Sequence, residues 1–515
     1  MADKPSFVQE AFRFAIAPTP RQERQLQSHA GAARFAYNWG SEQIAAALDR
    51  YQKAKAAGVP KDDLPSIPKH FDLCKMWTAH KDAHDGQQGR PADLAWVGEN
   101  FVGTYQTALR DTATAWKNFI DSKTGRRKGH PVGRPRFKSR RKTQPAFQMH
   151  GNTVRIESQV RVKRRWRSWG GRKNKHQTLN GLAINLPKIG RVAIMSDHDR
   201  RWLAGHRDND DAERNRRRAR TLHQLVQAGH GRISRVNITR EPDGIWFASV
   251  TVELCGPAAE QPAGPSRRQR DGGTVGVDLG VKYLAVLSSG QEWDNPRRYA
   301  ASMAKLRVAQ RALSRTQEDS RRRQRARVRV AALHARVRRA RSAATGRAVT
   351  QLVRRHDRIV VEGWNVQQTM AKSDSDLLRS VRSARNRALA DSARGDFRNR
   401  LMLAGPKRGC AVTVLDPHTP TGRTCSRCGT VRDKPIPPGN DKFDCPACGY
   451  VGDRRHNTAR VLASLAATQA PSPEGESRGG SVGPETPRGR RQLPSKRAAR
   501  SRSTPDWDKT GTPDP

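Results

Sequence analysis

Apolar and polar positions alternate over residues 7–17 (FVQEAFRFAIA), which predicts a strand, and the chain then breaks at Pro18-Thr19-Pro20, where Thr19 can cap a helix. Over 21–50 the spacing becomes helical, through Leu26, Ala30, Phe35, Ala36 and Trp39. A second helical region is expected at 68–122, where Leu73, Trp77, Trp96, Tyr105, Leu109, Ala113, Trp116 and Phe119 supply the apolar stripe. These aromatics are assigned to the core rather than to base stacking. Residues 152–256 turn to β-branched alternation, with turns at Pro187, Gly190 and Asp243-Gly244. Within that span, 200–232 is an arginine-rich polar insertion without a clear core.

The second half has a different rhythm. Residues 256–273 have the composition of a linker, and 274–290 (TVGVDLGVKYLAVLSSG) predict two strands around a turn. A long arginine-dense helical region, 303–356, is punctuated by QEDS at 317–320, which implies two antiparallel helices whose arginines face either solvent or RNA. The strand RIVVE (358–362), a helix near 376–404, the strand CAVTVLDP (410–417) and a helix after Asn457 complete the pattern. Strands separated by helical connections define a multidomain mixed α/β protein. From Ala467 to Pro515 large apolar side chains are scarce, so disorder is expected.

Charge narrows the class. A formal net charge of +50 with only 35% hydrophobic residues calls for a polyanionic partner, and nucleic acid fits. A membrane surface is the rival, but no apolar run approaches the roughly 18–20 residues of a membrane span, and the N-terminus lacks a secretory apolar stretch. The loop 123–142 (KTGRRKGHPVGRPRFKSRRK) concentrates the basic residues, and Arg134, Arg136, Lys138, Arg140 and Arg141 around Phe137 suit a phosphate backbone with one stacked base or sugar.

Two clusters carry chemistry. Cys425/Cys428 and Cys445/Cys448 form two CxxC pairs separated by 16 residues, each followed by glycine, which is the spacing of a four-thiolate zinc site. The remaining Cys74, Cys255 and Cys410 are scattered, as expected in a reducing cytoplasm rather than a disulfide framework. Asp278 and Glu362 each end an apolar strand, where a carboxylate requires a cation, a basic partner or water. Two or three such acids on adjacent strands would hold Mg²⁺ for phosphodiester cleavage.

The series GVDLGVKYLAVLS, IVVEGWN, TCSRCG…FDCPACG and DRRHNTARVL resembles the TnpB family of transposon-associated proteins and the compact type V CRISPR effectors descended from it. GRPRFKSR at 133–140 and LPKIGRV at 186–192 extend the resemblance, in the family's order, over residues 7–466. It implies a RuvC-like (RNase H-type) nuclease fold with an inserted zinc ribbon, preceded by a β-barrel wedge domain carrying a helical recognition insertion. The implied boundaries are 1–45 and 149–256 for the wedge, 46–148 for the insertion, 257–273 for a linker, 274–420 and 451–466 for the RuvC-like domain, 421–450 for the ribbon and 467–515 for the tail. The implied partners are a guide RNA and double-stranded target DNA in a prokaryotic cytoplasm, the implied metals structural Zn²⁺ and catalytic Mg²⁺, and the implied catalytic acids Asp278 and Glu362.

The third acid departs from the family. Aligned on Asn457 and Ala459, its position falls on Arg455, and Asp453 is the nearest carboxylate that could serve as a displaced ligand. The expected activity is RNA-guided DNA cleavage; the alternative is guided DNA binding with cleavage lost at Arg455. A cut-and-paste transposase is disfavoured, since no added DNA-binding module or strand-transfer signature is visible.

Overall fold

The computed structural model describes residues 8–167, 174–195, 209–363 and 379–468, apart from 88, 90, 91, 261, 438 and 439. Trp364 and Asn365 of the IVVEGWN motif, and the expected disordered tail beyond Thr468, lie outside the described residues.

Strand β1 (Val8–Ala17) leads into helix α1 (Pro20–Ala56), whose first turn is closed by a reciprocal box between Thr19 and Gln22. The helical region expected at 68–122 is two helices, α2 (His70–Asp82) and α3 (Val102–Lys123). Gly86 at φ +79° and Gly89 at φ +76° interrupt them, because a positive φ cannot continue a right-handed helix. α3 packs on α1 through Leu109, which fills the space left by Gly40, and through Trp116, whose indole N–H donates to Ser41 Oγ at 2.9 Å.

Seven strands form an antiparallel sheet in the order β2-β6-β7-β1-β5-β4-β3, where β2 is Ala146–His150, β3 Arg155–Arg167, β4 Asn174–Leu186, β5 Gly190–Ile194, β6 Gly231–Arg240 and β7 Trp246–Leu254. The insertion expected to lack a core contains a helix with a buried face. Helix α4 (Asn209–Gln227) buries Ala219 and Leu222 against this sheet. Its Asn215 amide accepts the Ala15 N–H at 2.7 Å and donates to the Ala15 and Met195 carbonyls at 3.1 and 2.9 Å. Two apolar side chains and one asparagine on a single face were too few to stand out among the arginines.

The stretch expected to be a linker is also packed. Helix α5 (Arg267–Gly272) buries Gln269, whose amide donates to the carbonyls of Val353 and Arg408 at 2.7 and 2.9 Å. Beyond it a second sheet runs β10-β9-β8-β11-β12, with β8 Thr274–Asp278, β9 Tyr283–Leu287, β10 Glu292–Asp294, β11 Arg358–Glu362 and β12 Ala411–Leu415. Strands β8, β11 and β12 are parallel, and β9 and β10 are antiparallel to their neighbours. The expected antiparallel pair is α6 (Arg298–Ser314) and α7 (Arg321–Arg355), the latter capped by the Ser320 hydroxyl. The helix expected near 376–404 is broken into α8 (Arg379–Ser392) and α9 (Arg394–Ala404) by Ala393 at φ +49°.

Strand alternation sorts the side chains of this sheet. Val275, Val277, Ile359 and Val361 face α7 and α9, packing on Val349, Leu352, Val353, Phe397 and Leu401. Gly276 and Val360 face the opposite way, toward α10 (Arg454–Thr468), whose Leu462 and Ala466 join Val360 and Leu415. Gly276 is required there: a Cβ would collide with the Ala459 carbonyl and the Ala463 amide.

A buried ion cluster joins α7 to the first sheet. Glu241, 5% exposed, accepts from Arg13 at 2.5 Å, from Arg339 at 3.1 Å and from Arg338, while Asp243, 1% exposed, accepts from Arg339 at 2.5 Å. Arg13 and Arg339 also lie 4.2 and 5.4 Å from the Phe247 ring centre. Burial alone would raise the Glu241 carboxyl, but the three guanidinium groups outweigh it and hold it below the usual range. Because this folded pKa is depressed, the contribution is present at neutral pH and is lost as pH falls through it. Glu241→Ala releases the half-exposed Arg13 and Arg338 to solvent and leaves the mostly buried Arg339 with Asp243 alone, so a loss of about 1–3 kcal/mol is expected in denaturant unfolding; no loss would mean that solvent replaces the carboxylate.

Candidate active site and metal centre

The ribbon supplies a preformed metal centre. All four thiols of Cys425, Cys428, Cys445 and Cys448 lie within 4.8 Å of one another. The Cys425–Cys448 and Cys428–Cys445 sulfur separations are 3.8 and 3.5 Å. A tetrahedral ion with metal–sulfur bonds of about 2.3 Å sets sulfurs roughly 3.8 Å apart, so the cluster has the dimensions of a four-thiolate site. Each knuckle closes by an N–H donated from the following glycine to its first cysteine carbonyl, Gly429 to Cys425 at 2.9 Å and Gly449 to Cys445 at 3.1 Å. Both glycines have positive φ, +78° and +66°, which is why glycine follows each pair. Short strands β13 (Lys442–Asp444) and β14 (Val451–Asp453) complete the ribbon around buried Phe443 and Ile436. Asn457, fully buried on α10, ties the first knuckle down: its Oδ1 accepts the Ser426 N–H at 2.8 Å and its Nδ2 donates to the Thr424 carbonyl at 2.7 Å.

Asp278 and Glu362 come together. β8 and β11 are adjacent and parallel with Val277 opposite Val361, so the next residues of each strand, the two acids, stand side by side at the carboxyl ends. By alternation both lie on the α10 face. Burial and the neighbouring Glu362 charge push the Asp278 carboxyl up to about 6, against the opposing pull of Arg394, Arg455 and Arg454. The residue as a whole keeps some accessible surface, and it is the carboxylate end that burial desolvates. Glu362 accepts a hydrogen bond from the buried Thr421 hydroxyl at the base of the ribbon.

Asp453 has a different occupation. Its Oδ1 accepts the N–H groups of Arg455 at 2.8 Å and His456 at 3.0 Å, which makes it the cap of α10. Among the described residues, the four cysteines are the one group of three or more ligand-type side chains gathered closely enough to share an ion, so no third carboxylate joins Asp278 and Glu362. Arg455 donates through Nη2 to Asp441 of the ribbon at 3.0 Å and lies 5.7 Å from the Tyr283 ring centre, while its Nη1 is buried without a hydrogen-bond acceptor. Asp453→Asn should leave stability nearly unchanged because the cap oxygen remains, whereas Asp453→Ala should cost about 1 kcal/mol in thermal unfolding. Equal losses from both would contradict the capping role.

Three residues near the acids had no sequence signal. Arg394 opens α9 beside Asp278 and Glu362, and burial lowers its pKa while both acids raise it. Thr421 and Arg398 were equally silent. A cleft lined by Leu279, Glu362, Arg394, Gly395 and Arg398 opens at this point.

The basic loop between α3 and β2 is irregular, with Phe137 76% exposed and Arg134, Arg136, Arg140 and Arg141 outward. Arg134 lies 5.3 Å from the Trp116 ring centre, and Arg141 pairs loosely with Asp319 at 3.8 Å. Lys138 is its anchor instead. Its backbone exchanges hydrogen bonds with the Asn38 amide at 2.8 and 3.0 Å, and its ammonium sits 3.4 Å over the Tyr37 ring. Burial lowers the Lys138 pKa and Asp111 opposes the shift.

A five-stranded sheet in this order, with an acid pair at its parallel strand ends and a four-cysteine ribbon inserted before its last helix, makes this half of the chain a mixed α/β architecture. Three family models match parts of the chain. Residues 250–373 match a family model described as "Probable transposase" (OrfB of IS605), 395–462 a "Cas12f1-like, TNB domain", and 6–53 a "Helix-turn-helix domain" of OrfB. In the last stretch the structure has strand β1 and the single 37-residue helix α1. These matches agree with the resemblance to the TnpB family. The chain is 28% identical over 461 residues, covering 88% of this chain and 86% of the relative, to a "Putative RNA-guided DNA endonuclease" of Mycobacterium tuberculosis. It is 25% identical to the "Putative RNA-guided DNA endonuclease InsQ" of Escherichia coli K12, covering 88% of this chain and 91% of that protein. Among solved structures, a Cas12f1–sgRNA–target DNA complex aligns over 89% of this chain and 99% of its own at 11% identity and a TM-score of 0.38. No helix among the described residues is long and apolar enough to cross a membrane.

Proposed function

We propose that this protein is an RNA-guided endonuclease of double-stranded DNA, with Asp278 and Glu362 as its catalytic acids. The observation that carries the reading is the pairing of these two acids at the carboxyl ends of adjacent parallel strands, on one sheet face and beside an open cleft. In this reading the second sheet is the RuvC-like domain, the seven-stranded antiparallel sheet is the wedge, and α2 and α3 belong to the recognition insertion. The guide RNA pairs with one DNA strand, and the basic loop around Phe137 follows a phosphate backbone.

Hard carboxylate oxygens suit Mg²⁺, which is commonly held by one or two carboxylates together with substrate phosphate. Asp278 and Glu362 fit one such ion, and a cation there would offset both the burial and the Glu362 charge that raise Asp278. When bound, the ion supplies charge neutralisation and an activated water for phosphodiester hydrolysis. Zn²⁺ fits the four-cysteine centre, in a structural role.

Guided binding without efficient cleavage is the second reading. Two observations favour it: Asp453 is committed to capping α10, and a guanidinium stands where the family carries its third acid.

The test is guide-loaded protein with matched duplex DNA and Mg²⁺. Cut strands are expected. Guide-dependent binding with intact strands would select the second reading, and absence of guided binding would remove both. Affinity for unmatched nucleic acid should fall steeply with salt, by about 10³-fold or more from 50 to 200 mM if six or more phosphates are contacted; a flat response would contradict the basic-surface assignment.

A further inference from the structure

We propose that Thr421 is a positioning residue of the acid pair: its hydroxyl, carried on the turn that leads into the ribbon, holds the Glu362 carboxylate in place for a divalent cation. This role rests on the reading of Asp278 and Glu362 as an ion site.

Glu362 has more freedom to lose than Asp278. Its carboxylate stands on a longer side chain, and it borders the open cleft. Mg²⁺ requires near-octahedral geometry, so a mobile ligand weakens binding unless it is fixed before the ion arrives. Thr421 Oγ1 donates to Glu362 Oε1. An ionised carboxylate only accepts, so the hydroxyl is the donor, and its engagement of Oε1 favours ligation through Oε2. Thr421 is 3% exposed, which keeps water from competing for its hydroxyl, and its branched Cβ restricts the direction in which that hydroxyl points.

The fold delivers Thr421 to this place. β11 and β12 are parallel neighbours with Glu362 opposite Leu415. The chain leaving β12 then passes close over Gly363, where a Cβ would lie 2.2 Å from the Leu415 carbonyl oxygen and 3.1 Å from the Pro417 nitrogen. Only a glycine after Glu362 lets the two segments approach so closely. Short-range bonds fold the crossing segment. Asp416 Oδ1 accepts the His418 N–H at 2.7 Å, the Asp416 carbonyl accepts the Thr419 N–H at 3.1 Å, and the Thr419 carbonyl accepts the Thr421 N–H at 2.8 Å. On the other side, the Pro420 carbonyl accepts the Thr424 N–H at 3.1 Å and the Thr424 hydroxyl at 2.9 Å. Thr424 is bonded in turn to buried Asn457 of α10. The turn carrying Thr421 is therefore tied to the sheet at one end and to the helix at the other.

Mn²⁺ titration of the full chain without guide, read by electron paramagnetic resonance, tests this role. The ion at the acid pair is identified by its loss in Glu362→Gln. Thr421→Val keeps the side-chain shape and removes the hydroxyl, and it should weaken that ion about 10–100-fold, the usual effect of losing a group that orients a metal ligand. Thr421→Ser keeps the hydroxyl and should retain most of the affinity, with zinc content unchanged in both variants. Unaltered Mn²⁺ affinity in Thr421→Val would overturn the proposal. So would a loss accompanied by loss of zinc, which would place the effect in the folding of the ribbon. In the guide-loaded complex, Thr421→Val should slow single-turnover cleavage at limiting Mg²⁺ about tenfold or more, leave guided binding in EDTA unchanged, and recover as Mg²⁺ is raised. A rate loss that no Mg²⁺ concentration restores would overturn it too. An unaltered complex that binds and does not cut would select the second reading of function, and the Mn²⁺ titration would still decide the role of Thr421. Absence of any Glu362-dependent ion in the unaltered chain would remove the ion site itself, and the positioning role with it.

Discussion

Asp278→Asn is expected to stabilise the fold at neutral pH while removing Mg²⁺-dependent cleavage. The sign follows from linkage. An aspartate has an unfolded pKa near 3.9, and burial beside Glu362 raises this one to about 6. A raised carboxylate pKa means that the folded state disfavours the charged form, so stability declines as pH rises from about 4 to 6 and stays lower above it. An amide removes that unfavourable charge and relieves Glu362, so the midpoint of thermal unfolding should rise at pH 7.5 and be nearly unchanged at pH 4. Cleavage should drop by at least about a hundredfold, because even outer-shell substitutions cost 10–100-fold at metal sites. Mg²⁺-dependent activity of the unaltered protein should likewise fall as pH is lowered through 6, where Asp278 takes up a proton. A lower midpoint at pH 7.5 would show instead that Asp278 is held by the arginines as a stabilising ion pair. Binding sites tolerate this kind of strain because it is relieved on occupation.

Removal of metal from the ribbon should have the other large effect. The ribbon's apolar centre consists of Ile436, Phe443 and two of the cysteines, with Tyr450 beside them, and is too small to hold the loop by burial alone. Structural zinc in such sites contributes apparent free energies of about 10–16 kcal/mol, which become folding free energy. One Zn²⁺ per chain is expected by elemental analysis. Chelation, or Cys425→Ser, should open residues 421–453 to hydrogen exchange and proteolysis while leaving the seven-stranded sheet protected. The loss should reach the acid pair as well, because Thr421 hydrogen-bonds Glu362, Asp441 holds Arg455, and Asn457 joins the first knuckle to α10. A metal-free chain with the same protection as the loaded one would refute a structural zinc site.

The parts legible in the sequence share a physical reason: they are local. A CxxC pair closes its knuckle within five residues, with glycine at the one backbone position that needs positive φ, so spacing alone carries the metal centre. Strand alternation in TVGVD and RIVVE likewise places both acids at strand ends, and Thr19 announces the start of α1 by its own hydrogen bond to Gln22. The family resemblance added the order of the domains, but it left Asp453 and Arg455 competing for one position.

Tertiary structure decided the rest, because those properties depend on which distant residues meet. That β8 and β11 are neighbours in parallel register, so that Asp278 stands beside Glu362 rather than across the sheet, is fixed by packing against α7 and α10. Arg394 became part of the site only because the Asp391–Ala393 turn directs it there, and nothing in SARGDF marks it. Lys138 looked like a phosphate contact until Tyr37 and Asn38, 100 residues away, were seen to hold it. Asp453 and Arg455 were settled in the same way: a cap is defined by the N–H groups it accepts, and an arginine's role by the acids that fold toward it.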